Sequence, residues 1–104
     1  MKKKVTFDLI VIGSGGTGTY FLKEISRFLS SSNNAKALVA SMTIIDGDTV
    51  EGKNLSRQCF TEQDIGLHKA SVMAEVLNQS FGLNWRAYTE YITDISQIKK
   101  HCEK

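Results

Sequence analysis

Phe7-Asp8-Leu9-Ile10-Val11-Ile12-Gly13-Ser14-Gly15-Gly16-Thr17-Gly18 decides the fold. The first half is a short aliphatic, β-branched run that stops at glycine, and it reads as a strand buried on both faces, as in a parallel sheet. The second half is a Gly-x-Gly-x-x-Gly run that opens a helix. From Thr17 to Leu29, the apolar residues Phe21, Leu22, Ile25, Phe28 and Leu29 recur at helical spacing, with Lys23, Glu24 and Arg27 on the other side. Between a strand and a helix such a glycine run has a mechanical meaning. The first glycine permits a tight turn, the second lets backbone approach a phosphate, and the third lets helix and strand pack closely. The helix N-terminus then meets an anion with free N–H groups and a partial positive charge. Gly13, Ser14, Gly15, Gly16, Thr17 and Gly18 are therefore the candidate nucleotide cradle. By itself the motif does not separate NAD from FAD or ATP, and a tight turn without a ligand has the same spacing.

Working outward, Ser30 to Asn34 ends the helix and Leu38 to Ile45 supplies a second strand, so the opening is a βαβ unit with parallel neighbours. Asp46 to Phe60 has neither a helical nor an alternating period and reads as a long functional loop. Thr61-Glu62-Gln63-Asp64 is a helix-start signature, interrupted by Gly66. A second amphipathic helix is predicted from about His68 to Ser80, with Ala70, Met73, Val76 and Leu77 inward and Gly82 as its stop. Trp85 to Ile92 resembles a third strand, and Asp94 to His101 a short final helix or frayed tail. The expected fold class is α/β, Rossmann-like and three-layered, with crossover helices and a parallel sheet in spatial order 3-2-1. Strand one then lies at an edge.

Composition agrees with one small domain over residues 1–104: 41% of residues are hydrophobic and 23% charged. Thirteen Lys and Arg face eleven Asp and Glu, but Lys2, Lys3 and Lys4 supply three of the positive charges, which leaves ten against eleven elsewhere. The body is thus not a basic nucleic-acid surface. No purely apolar stretch is longer than the four residues of Leu9 to Ile12, far short of the roughly 20 residues of a membrane span, and the basic start lacks a secretion signal's apolar core. A cytoplasmic location is expected, with Cys59 and Cys102 reduced; without a C-x-x-C pair no thiolate-only zinc site is expected. His68 and His101 are isolated and read as surface residues.

Asp46 closes the second strand, where a Rossmann-like domain sets an acid against ribose hydroxyls, with Asp48 beside it. It lies 28 residues past Gly18, against roughly 20 in a compact dinucleotide fingerprint. Asn54, Arg57 and Gln58 then cluster where a loop needs neither an amide nor a guanidinium, which implies an anion. Arginine offers a planar fork suited to phosphate oxygens, and Lys69 adds a point charge at a helix start.

Gly13-Ser14-Gly15-Gly16-Thr17-Gly18, Ile45-Asp46-Gly47-Asp48-Thr49-Val50-Glu51, Asn54-Leu55-Ser56-Arg57-Gln58, and Asp64-Ile65-Gly66 with Lys69-Ala70 together strongly resemble the ThiF/MoeB adenylyltransferases and ubiquitin-activating enzymes. The closing Leu77-Asn78 and Gly82-Leu83-Asn84-Trp85 look like the ThiF-like proteins of plasmids and phages. The likeness runs from Leu9 to about Tyr91. It implies ATP-dependent adenylation of the C-terminal carboxylate of a ubiquitin-like or sulfur-carrier protein. By position, the glycine loop, Asp46, Asp48 and Gln58 would hold the nucleotide, and Asn54, Arg57 and Lys69 would act on its triphosphate. It further implies that the chain is the N-terminal part of a longer domain, dimeric at full length. The family's magnesium-binding Asp would lie beyond Lys104, so no metal ligand is assigned here and these residues alone are expected to be incomplete for catalysis. Two other classes compete: a nicotinamide- or flavin-binding oxidoreductase half-domain, and a non-catalytic nucleotide-binding module.

Overall fold

A computed structural model describes residues 6–13, 16–52 and 60–101. Its elements run β1 (Phe7–Ile12), α1 (Gly16–Ser31), α2 (Asn33–Ala37), β2 (Val39–Ile45), α3 (Lys69–Phe81), β3 (Trp85–Tyr88) and α4 (Ile95–Lys99). The three strands form one parallel sheet in the order β1-β2-β3, which is the expected 3-2-1 order seen from the other edge. The arrangement is α/β and Rossmann-like.

Register determines which residues share a face. Leu9, Met42 and Trp85 form one row, and Val11, Ile44 and Ala87 another. These rows pack against Leu22 and Leu29 of α1 and Ala70, Met73 and Leu77 of α3, so both long helices cover the same face. Burying those side chains is the main driving force of the fold. The opposite face is more polar. There Ser41 Oγ donates to Asp8 Oδ1 at 2.6 Å, and His101 rests on Tyr88, with ring centroids 4.1 Å apart.

Trp85 ties this core together. Its indole N–H donates to Ser26 Oγ at 2.9 Å, joining β3 to α1 across 59 residues. Asn78 holds the strand's first residue from α3: its Oδ1 accepts the Trp85 N–H at 2.6 Å, and its Nδ2 donates to the Trp85 carbonyl at 3.0 Å.

Several expectations change. Burial on both faces belongs to β2, where Ser41, Thr43, Ile44 and Ile45 are all buried. By contrast β1 is half-exposed, because it lies at the edge among the described residues. Along α1 the sheet takes Leu22, Ser26 and Leu29, whereas Phe21 and Phe28 flank the contact and stay exposed. On α3 Val72 and Ala74 are buried, and Val76 turns outward. The third strand ends at Tyr88, not Ile92. His101, expected at the surface, is buried. Thr61 does form a capping box with Asp64, but around a short 3₁₀ turn, Glu62–Asp64.

Candidate functional site

The site lies at the C-terminal ends of the strands, where an open α/β sheet leaves a crevice. Gly13 ends β1 with φ at +86°, a left-handed conformation that glycine adopts without steric cost. Its N–H donates to the Ile45 carbonyl at 2.8 Å, which anchors the turn to β2. Gly16 and Thr17 open α1. A Cβ on Gly18, in the first turn of α1, would lie 2.8 Å from the Gly13 carbonyl oxygen, so the third glycine does allow helix and strand to close together.

Asp46 follows β2, buried, with its N–H donating to the Tyr88 carbonyl at 3.1 Å. Its Oδ1 accepts the Asp48 N–H at 2.9 Å, an Asx turn that fixes the chain just past the sheet. The Asp48–Val50 stretch is then stitched to the residues before α3. Val50 N–H donates to the Leu67 carbonyl at 2.8 Å, Gly66 N–H to the Val50 carbonyl at 2.9 Å, and Lys69 N–H to the Asp48 carbonyl at 3.0 Å. This brings Lys69, the first residue of α3, to the crevice. Its side chain is almost fully buried, with the ammonium 3.9 Å from Asp48 Oδ2.

Tyr91 was not anticipated. Its hydroxyl donates to Asp48 Oδ1 at 2.6 Å, which raises the phenol's pKa above its usual range. Its ring lies against Gly47. Cavities of about 350 and 260 Å³ open here and share Gly47, Asp48, Lys69 and Tyr91; the smaller also reaches Gly13 and Asp46. The structure therefore brings together Gly13, Asp46, Asp48 and Lys69, with Gly18 buttressing the turn. Ser14, Gly15, Asn54, Arg57 and Gln58 lie outside the described residues, as do Cys59 and Cys102. The sequence signal for Tyr91 is the polar pair Thr89-Glu90, which breaks an apolar parallel strand just before it.

Glu90 also lines the smaller cavity. Its carboxylate accepts from His101 Nε2 at 2.7 Å and from Lys100 Nζ at 3.1 Å. These bonds, the His101 one foremost, hold it below its ordinary 4.5. A depressed carboxylate contributes stability that is complete above its unfolded pKa and is lost as pH falls through the folded value. His101→Ala should therefore let Glu90 titrate nearer 4.5 and lower the melting temperature by several degrees, as read by NMR titration and thermal unfolding. An unmoved Glu90 titration would count against the His101 bond.

Chemically, the crevice offers the turn into α1 at Gly13, a buried lysine and four carboxylates on its walls, Asp46, Asp48, Glu51 and Glu90; the first two features suit a phosphate and the carboxylates suit ligand hydroxyls. No three metal-ligating side chains are grouped among the described residues, and no helix there is long and apolar enough to cross a membrane.

Comparison with known proteins points the same way. The sequence profile of the ThiF family matches residues 1–104. The NEDD8-activating enzyme E1 catalytic subunit of Saccharomyces cerevisiae is 36% identical over 74 residues, 70% of this chain and 22% of that protein. That of Dictyostelium discoideum is 38% identical over 73 residues, 69% of this chain and 14% of that protein. Among solved structures, E. coli tRNA N6-threonylcarbamoyladenosine dehydratase in complex with ATP matches with a TM-score of 0.71 at 25% identity, over 91% of this chain and 37% of that one. E. coli MccB with ATP matches with a TM-score of 0.71 at 23% identity, over 92% and 27%, a likeness of fold. The chain spans well under two thirds of the length of each of these proteins.

Proposed function

Because the chain belongs to the ThiF family, which it matches over residues 1–104, we propose that it binds ATP and serves in adenylating the C-terminal carboxylate of a ubiquitin-like or sulfur-carrier protein in the cytosol. The observation that carries this reading is the convergence of Gly13, Asp46 and the buried Lys69 side chain on one crevice. In this reading the backbone from Gly13 to Gly18 cradles phosphates at the α1 N-terminus. Asp46 accepts ribose hydroxyls, and Asp48 keeps Lys69 in place. Asn54 and Arg57, matched to the family by sequence position, complete the triphosphate contacts with Lys69, and Gln58 joins the residues that hold the nucleotide.

The partner's carboxylate oxygen attacks the α-phosphorus as the bond to the β-phosphate oxygen breaks, giving an acyl-adenylate and pyrophosphate. No proton has to be removed from an ionised carboxylate. Catalysis on this scheme is positioning and charge stabilisation, which is what cations at Arg57 and Lys69 supply. Magnesium is proposed to accompany the triphosphate. A longer protein containing this chain, acting as a dimer, would fit the same scheme.

Calorimetric titration tests the first step. ATP should bind, and Lys69→Ala should weaken it by roughly tenfold or more, as expected for a charge-assisted contact of about 1.5–3 kcal/mol. Binding of NAD in preference to ATP, or no response to Lys69→Ala, would overturn the reading.

A further inference from the structure

Gly47 packs against one face of the Tyr91 ring. A Cβ at Gly47 would lie 2.6 Å from both Cδ2 and Cε2 of the ring and 2.8 Å from Cγ. Near-equal distances to three adjacent ring atoms place Gly47 over the ring's face, since an approach in the ring plane would leave Cγ much farther away. The hydroxyl is fixed by Asp48, so both ends of the side chain are restrained. Even so the residue is 64% exposed. Its second face therefore looks outward, over the crevice that also holds Gly13, Asp46 and Lys69. An aromatic plate restrained in this way has already lost the rotamer freedom that ligand binding would otherwise cost.

We propose that Tyr91 is the platform on which the nucleobase of the bound nucleotide stacks, with Gly47 as the space that admits its ring. This inference rests on the nucleotide reading of the same site. Stacking on an aromatic face tolerates any base, so Tyr91 adds affinity for a nucleoside over a bare polyphosphate. Gly47→Ala would displace the ring, and the site needs glycine there for that reason.

The test compares ATP with inorganic tripolyphosphate by calorimetry on the full chain, using Tyr91→Ala and Tyr91→Phe. Tyr91→Ala should weaken ATP by about tenfold, the effect typical of losing one stacked base, and leave tripolyphosphate as in the wild type. Tyr91→Phe keeps the ring and should keep most of the ATP affinity. The proposal is overturned if Tyr91→Ala binds ATP as the wild type does, if it weakens tripolyphosphate as much as ATP, or if Tyr91→Phe is as weak as Tyr91→Ala. A wild-type chain with no affinity for ATP would instead remove the nucleotide reading, and this inference with it.

Discussion

Gly18→Val is expected to abolish measurable ATP binding and to destabilise the fold at the same time. The nearest atoms to the new Cβ are backbone, the Gly13 oxygen at 2.8 Å and its carbon at 3.4 Å, so no flexible side chain can move aside. Gly13 is itself tied to β2 through the Ile45 carbonyl. Relief must come from tilting α1 away from β1, which costs about 1–3 kcal/mol, as overpacking typically does. The same tilt carries the helix N-terminus off the crevice, and the anion site goes with it. Gly52→Ala is the matched control: nothing lies within 4 Å of a Cβ there, and it should leave both properties unchanged. Thermal unfolding and ATP titration of the two variants decide the matter. A Gly18→Val protein with wild-type melting would show that the close approach of helix and turn is not required.

Trp85→Ala should be the most destabilising single change, at about 3–5 kcal/mol, a large part of the total stability of a domain this size. The indole fills the space between α1 and α3 with only 4% of its surface exposed, and its removal also orphans Ser26, which is fully buried. Ser26→Ala is the milder counterpart. It leaves the indole N–H buried without its acceptor, at about 1–3 kcal/mol. Denaturant unfolding of both variants checks the ranking, and a Ser26→Ala loss equal to that of Trp85→Ala would contradict it.

The elements that could be read in the sequence are those whose signal is local. The β1 run, the period of α1, the capping box at Thr61 and the stop at Gly82 each lie within a few consecutive residues, and each appears where expected. The short α2 helix was not expected. None of its five residues is fully buried, and it rests on Ser32 Oγ accepting the Ala35 N–H, a bond that composition does not announce. Helical spacing marked Phe21, Phe28 and Val76 as apolar, but which apolar positions face the sheet depends on partners far along the chain, such as Trp85 for Ser26. The site divides in the same way. Gly13, Asp46 and Lys69 belong to linear motifs, whereas Tyr91 matters through a contact with Gly47, which lies 44 positions earlier. His101 looked isolated because its partners, Tyr88 and Glu90, are brought to it only by the turn after β3.

The indole's placement has a spectroscopic consequence. Trp85 is the chain's one tryptophan, buried and hydrogen-bonded, so native emission should be blue-shifted and should move to the red on unfolding. It begins β3, whereas the crevice opens past Tyr88, three residues and about 10 Å along the strand. A nucleotide in the crevice cannot touch the indole. Any ligand-induced change in its fluorescence therefore reports displacement of α1, felt through Ser26, or of α3, felt through Asn78, and this makes Trp85 a strain gauge for the two helices and not a contact probe for the ligand.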